Sequence, residues 1–183
     1  MRPDDLVDFS KQGYSKPTNV DSWSEESLLD SGLTTDEHAL LELLPKTKGN
    51  LLLLGVGGGR EAIVFAKMGY TVTGVDYVPE MVERAKLNAQ KRGASIQGIV
   101  QEISTLDVVE NTFDVIWISR SMYSCIPTRT RRVAMTRRIH RALKPGGYFI
   151  CQFHCDPKVH PSHIMGLLRR LIAWLTLGNF GYE

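Results

Sequence analysis

Cysteine is scarce in this chain of 183 residues: there are three, Cys125, Cys151 and Cys155. An odd number that small excludes a disulfide-stapled scaffold and suits a reducing compartment. No C-x-x-C pair occurs, so although Cys151, His154, Cys155, His160 and His163 crowd together, no metal site is expected. Long apolar runs are lacking as well. The stretch 162–177 is strongly apolar but is broken by Arg169 and Arg170, and it falls short of the about 20 apolar residues a membrane-spanning helix needs. It reads as a helix packed on the core or closing over a substrate, with contact to a membrane surface as the alternative. Charge of one sign is missing too: 22 Lys and Arg against 20 Asp and Glu leave a net charge of +2, which selects no polyanionic or polycationic partner. Internal repeats and low-complexity tracts are absent, which excludes a solenoid. Met1-Arg2-Pro3-Asp4-Asp5 opens on charges with no apolar run behind it, so no signal peptide is expected and a cytoplasmic location is.

What the chain does contain is alternation. β-like segments near 50–54, 70–75, 96–100, 113–119 and 147–154 are interleaved with helix-like ones near 59–68, 79–92 and 128–143. Such alternation predicts an α/β fold: a doubly wound, mostly parallel sheet with helices on both faces. Thr34-Thr35-Asp36-Glu37 has capping-box spacing and opens a further helix that Pro45 stops. Residues 1–33 read as a loosely structured N-terminal arm, with Tyr14, Trp23, Leu28 and Leu29 available to pack, and 34–183 as a single domain. The arm is acidic, whereas Arg129, Arg131, Arg132, Arg137, Arg138 and Arg141 lie in a segment without acids. A helix there would turn Met135, Ile139, Ala142 and Leu143 to the sheet and the arginines outward, so a solvated face is expected and a nucleic-acid partner is not.

The most informative junction is Leu51-Leu52-Leu53-Leu54-Gly55-Val56-Gly57-Gly58-Gly59, an apolar strand ending in a glycine loop that runs into the helix from Arg60. A loop without Cβ atoms at a helix N-terminus lets backbone approach a ligand closely. The dinucleotide fingerprint G-x-G-x-x-G would need a glycine at position 60, and Arg60 stands there. The actual pattern is Gly55-x-Gly57-x-Gly59, and the strand that follows, Tyr70 to Val75, ends on Asp76. An acid at the end of the neighbouring strand can accept hydrogen bonds from both hydroxyls of a ribose. Ile96 to Ile103 then reads as a strand with the acidic end Glu102, Phe113-Asp114-Val115-Ile116-Trp117-Ile118-Ser119 as a fourth strand, and Leu143-Lys144-Pro145-Gly146-Gly147 as a turn into a fifth.

Taken in order, these motifs over about residues 50–154 resemble the class I S-adenosylmethionine-dependent methyltransferases. The resemblance implies S-adenosyl-L-methionine as cofactor and a methyl acceptor as substrate. It also implies that Gly55, Val56, Gly57, Gly59, Asp76, Tyr77, Glu102, Ile103 and Ser119 bind the cofactor: Asp76 at the ribose, Glu102 at the adenine amino group, Ile103 on the ring. Two departures are visible. The family carries an acid two positions before the first glycine, to hold the cofactor's amino group, and here that position is Leu53. Glu61, in the first turn of the next helix, either substitutes for it or complements the helix dipole. The family also has two more strands after the fifth, for which this chain has no residues left, so a truncated chain is expected.

Methyl transfer from a sulfonium is an in-line displacement with an activated leaving group, so positioning and exclusion of water suffice and no obligatory catalytic motif exists. His154, at the end of the fifth strand, is either a general base or a histidine capping the following loop. Arg120 and Tyr123, after the fourth strand, are candidates on the acceptor side, and His154 and Tyr123 are the proposed catalytic pair. The chain lacks the Asn/Asp-Pro-Pro-Tyr/Phe motif of enzymes that methylate nucleic-acid bases or glutamine, which points to a small-molecule acceptor. The alternatives are a non-catalytic module that binds S-adenosylmethionine or S-adenosylhomocysteine and, behind it, an NAD-dependent oxidoreductase.

Overall fold

The computed structural model describes residues 3–44, 48–153 and 171. Four helices come first: α1 (Pro3–Tyr14), α2 (Pro17–Trp23), α3 (Glu26–Asp30) and α4 (Thr35–Glu42). Strands and helices then alternate as β1 (Gly49–Leu54), α5 (Arg60–Lys67), β2 (Tyr70–Asp76), α6 (Pro79–Lys91), β3 (Ile96–Val100), β4 (Phe113–Ile118), α7 (Met122–Cys125), α8 (Arg129–Ala142) and β5 (Leu143–Cys151). The five strands form one sheet in the order β3-β2-β1-β4-β5, and every pairing in it is parallel.

The leucine run explains why β1 is central. Leu51, Leu52, Leu53 and Leu54 are all fully buried, as a strand covered on both faces requires. Because successive side chains point to opposite faces, Leu51 and Leu53 join Ala62, Phe65, Val82 and Ala85 beneath α5 and α6. Leu52 and Leu54 join Met135, Ile139 and Ala142 of α8 on the other face. β2 and β4 flank β1, so the connections leaving β1 and β4 diverge and open a crevice at the strands' carboxyl ends.

Three expectations need adjustment. Residues 3–33, expected to be loose, fold into α1, α2 and α3. Their anchors are few: Val20 packs on Val78 and Met81, and Leu29 on Ile63 and Ala89. One buried residue each in α2 and α3 leaves no apolar periodicity to read, so the fold of this segment is set by α5 and α6. β5 was expected to open near 147, but it runs Leu143–Cys151 with an irregularity in its register: Phe113 pairs Leu143 while Val115 pairs Tyr148. Pro145 has no N–H to give a ladder, and Gly146 sits at φ 77°, so the turn is absorbed inside the strand as a bulge. α7, finally, has no counterpart among the expected elements. The predicted helix at 162–177 lies outside the described residues apart from Leu171, as does His154.

α4 begins as its capping box requires: the Thr34 hydroxyl accepts from the Glu37 amide at 3.3 Å, and the Glu37 carboxylate accepts from the Thr34 amide at 2.7 Å. α8 buries Met135, Ile139 and Ala142, and several of its arginines serve its own protein. Arg131 meets Glu102, Arg138 donates to the Leu106 carbonyl at 2.9 Å, Arg132 donates to that of Ile126 at 3.0 Å, and Arg141 pairs with Glu110 at 3.5 Å. Among the described residues no helix is long and apolar enough to cross a membrane, and no group of His, Cys, Asp and Glu is placed to hold a metal ion.

Candidate active site

The loop after β1 is shaped by backbone hydrogen bonds. The amides of Gly55 and Val56 both donate to the Val75 carbonyl, at 2.8 and 2.9 Å, which bends the chain sharply at the end of the strand. Gly55 takes φ 83°, and a Cβ on it would stand 2.9 Å from Cγ of Met122, so it needs both the left-handed conformation and the missing side chain. Ser119, just past β4, donates from its hydroxyl to the Gly55 carbonyl at 2.8 Å and from its amide to that of Leu54 at 2.9 Å. These bonds lock the glycine loop to the segment where an acceptor is expected.

Asp76 ends β2 beside that loop. Its Oδ2 accepts from the Gly57 amide and its Oδ1 from the Val78 amide, both at 3.1 Å. Burial raises the pKa of this carboxyl, while the amides of Val78, Gly57 and Tyr77 pull it back down. With one well-formed amide bond on each, from Gly57 to Oδ2 and from Val78 to Oδ1, both oxygens retain acceptor capacity, which is the requirement for receiving two adjacent hydroxyls.

Two adjoining cavities occupy the crevice. The larger, ≈ 440 Å³, is lined by Gly55, Val56, Gly57, Gly58, Arg60, Glu61, Asp76, Tyr77, Met81 and Ser119 to Met122. Cys125 and the N-terminal segment complete the wall, the latter with Ser10, Tyr14, Trp23, Leu28, Ser31 and Thr34. The smaller, ≈ 50 Å³, shares Gly55, Asp76 and Tyr77 and adds Glu102, Ile103, Ile126 and Pro127. Tyr77 joins floor to roof: its hydroxyl bonds Ser10 Oγ at 3.0 Å, its ring centroid lies 6.5 Å from that of Tyr14, and burial pushes its pKa up to about 12. Glu102 faces the smaller cavity with its carboxylate already engaged by Ser104 and by Arg131 at 3.3 Å.

Of the residues singled out in the sequence, Gly55, Val56, Gly57, Asp76, Tyr77 and Ser119 therefore line the larger cavity, and Glu102 and Ile103 the smaller one. Gly59 lines neither; it precedes α5 at φ 100° and lets that helix approach α6, since a Cβ there would stand 3.1 Å from Cα of Ala85. Arg120 lines the larger cavity, but Tyr123 does not: its ring packs towards Phe153, 6.3 Å between centroids. Ser121 lines it as well, at φ 67°, a conformation uncommon outside glycine and frequent at binding sites.

The N-terminal wall is what the sequence did not announce as part of the site. Its signal was slight: isolated aromatics in a polar segment. Arg60, first noted for breaking a fingerprint, is the main tie. Its guanidinium donates to both Glu37 oxygens at 2.7 Å, to the Gly32 carbonyl at 2.6 Å and to Glu61 Oε1 at 2.9 Å. Burial would raise the pKa of Glu37, but the Arg60 guanidinium and the Thr34 amide together hold it below its usual value.

These residues fit an adenosyl amino acid. A dihydroxyl acceptor, a loop that tolerates close approach, a narrow apolar slot and a buried acid lie along one crevice. Comparisons with known proteins agree. A methyltransferase-domain family profile matches residues 52–151. An uncharacterized methyltransferase of Synechocystis sp. is 33% identical over 183 aligned residues, which cover 93% of this chain and 81% of that protein. A ubiquinone biosynthesis O-methyltransferase of Cereibacter sphaeroides is 29% identical, and the match covers 76% of this chain but only 55% of that protein. Among solved structures, an S-adenosylmethionine-dependent methyltransferase from Mesorhizobium loti superposes with a TM-score of 0.55 at 26% identity, covering 66% of this chain and 52% of that one. A Pyrococcus horikoshii protein with a TM-score of 0.63 at 24% identity, covering 89% and 71%, shares the fold.

Proposed function

The chain belongs to the class I S-adenosylmethionine-dependent methyltransferases, and from that premise we propose that it methylates a small molecule held beneath its N-terminal helices. The observation that carries this reading is the larger cavity, whose ≈ 440 Å³ lies within the range of small-ligand sites. One wall of it is the cofactor loop, and the other is aromatic and apolar: Tyr14, Trp23, Leu28 and Tyr77.

S-Adenosylmethionine supplies a methyl group on a positively charged sulfur, already activated for displacement. What the protein adds is placement and dryness. In this reading Asp76 receives the ribose hydroxyls, Ile103 and Tyr77 bound the adenine slot, and Glu102 with Arg131 closes its edge. The proposed function of Val56 and Gly57 is to let the amino-acid end lie close against the loop, and that of Ser119 to hold the loop in place through the Gly55 carbonyl, while Gly59 acts indirectly, by letting α5 pack. Arg120 would meet an anionic or hydrogen-bonding group of the acceptor. Tyr77, with its raised pKa, stays protonated and serves as a donor and wall, not as a base. His154 is the proposed base for an acceptor that must lose a proton, and Tyr123 shapes the wall behind Met122. A cytoplasmic location and a small-molecule substrate belong to the same reading.

The test is calorimetry with S-adenosylmethionine, S-adenosylhomocysteine and NAD, followed by transfer of a labelled methyl group to a panel of acceptors. Hydroxyl-bearing aromatic compounds lead that panel because of the Cereibacter relative's name. Binding of both adenosyl ligands but not NAD is expected, with label on a small acceptor and none on nucleic acid. NAD binding without the adenosyl ligands would overturn the cofactor assignment. Cofactor binding with no transfer to any acceptor would favour a non-catalytic module. His154→Ala is expected to lower kcat while leaving S-adenosylhomocysteine affinity unchanged.

A further inference from the structure

Position 53, where an acid would meet the amino group of the cofactor, is a leucine at 0% exposure within the core beneath α5 and α6. An α-ammonium group entering the larger cavity therefore needs another counter-charge. The Arg60 cluster offers one. Both Arg60 amino groups are spent on Glu37 at 2.7 Å, and Glu61 takes a third bond from Arg60, from Nη2 at 2.9 Å, beside hydrogen bonds from Ser119 and from its own backbone. One guanidinium thus stands between two carboxylates, and the ionised trio carries one negative charge in excess.

That excess lies on the cavity side. Glu37 is 0% exposed and contributes nothing to the cavity wall, whereas Glu61, 6% exposed, lines it beside Gly55, Asp76 and Ser119. Burial raises the pKa of Glu61 and the Glu37 charge adds to it, against the attraction of Arg60 and the hydrogen bonds from its own backbone and Ser119. A buried carboxylate in that condition is costly, and a cation arriving with the ligand relieves the cost. The same charge repels a pyrophosphate, so it argues against a dinucleotide independently of the glycine spacing.

We infer that Glu61, the second residue of α5, holds the α-ammonium group of the cofactor in place of an acid on β1. This assignment rests on the reading of the cavity as the S-adenosylmethionine site. The experiment compares S-adenosylhomocysteine, which keeps the ammonium but lacks the sulfonium, with its deaminated analogue. In the wild-type protein the amino-bearing ligand binds more tightly by about 10- to 100-fold, the range for a hydrogen bond to a charged group. Glu61→Gln removes that difference while the deaminated analogue binds as before. A difference that persists in Glu61→Gln, or that is absent from the wild type, overturns the assignment. Should the wild type bind neither ligand, the cofactor reading itself fails, a separate result. If Glu61→Gln does not fold, Glu61→Asp, which keeps the charge and withdraws it by one methylene, is expected to narrow the difference; an undiminished difference there likewise overturns the inference.

Discussion

Asp76 and Glu37 are both buried carboxylates, but one lines the crevice and the other holds a guanidinium. Asp76 follows from local pattern alone: a β-branched strand, an acid at its end, a glycine loop before it. Replacing it with alanine is expected to weaken S-adenosylhomocysteine binding by about 1–3 kcal/mol, measured by calorimetry, with the fold intact by circular dichroism. Glu37 reads as half of a capping box and is that, yet its larger part is played with Arg60, 23 positions along the chain. Removing its charge weakens the two short bonds Arg60 makes to it while Glu61 still balances the guanidinium, so Glu37→Gln is expected to cost about 1.5–3 kcal/mol of stability in urea melts. The pH dependence has a definite sign. The folded pKa of Glu37 lies below its ordinary value of 4.5, so its contribution is full above that value and is lost as pH falls through the lower, folded one. Asp76, raised by burial, contributes with the opposite sign and cancels in the difference between wild type and Glu37→Gln, whereas Glu61, whose pKa Glu37 helps to raise, offsets part of that difference at neutral pH. That difference should shrink as melts are taken from neutral pH to well below 4.5. Which acid serves Arg60, and what that leaves for Glu61, depends on side chains brought together only by the fold.

At the level of elements, β1, β2, β4, α5, α6 and α8 were legible because each buries enough apolar residues to impose a pattern, whereas α4 was marked by its capping box and β3, which buries none, by its Ile and Val residues. The quadruple leucine of β1 is the clearest case: only a strand covered on both faces buries four in succession. α2 and α3 were illegible because each buries a single residue, Val20 and Leu29. The start of β5 was misplaced because a Pro-Gly-Gly sequence reads as a turn before a strand and is in fact a bulge within it. A testable contact joins a legible element to an illegible one. A Cβ on Gly58 would collide with the Trp23 carbonyl at the end of α2, so the glycine loop and the N-terminal helices touch through backbone. Gly58→Ala is expected to lift α2 from the loop at a cost of about 1–3 kcal/mol, with a red shift of tryptophan emission and weaker S-adenosylhomocysteine binding. An unshifted spectrum with unchanged affinity would mean that this contact does not hold the roof.

For the molecule as a whole, strand order was not legible, but its consequence was. Alternation implied a parallel sheet, and a parallel sheet places ligands at the carboxyl ends of its strands, where the crevice is found. Because the crevice belongs to the folded state alone, saturating ligand stabilises the entire domain: S-adenosylhomocysteine at 100 times its Kd should add about 2.7 kcal/mol, seen as a higher Tm, while NAD leaves Tm unchanged. The docking of the N-terminal helices has a consequence in time. Val20 packs on Val78 and Met81, and Leu29 on Ile63 and Ala89, so residues that leave the ribosome early find their partners only after α5 and α6 have followed them. In each newly made chain, the crevice stands open before it acquires its cover.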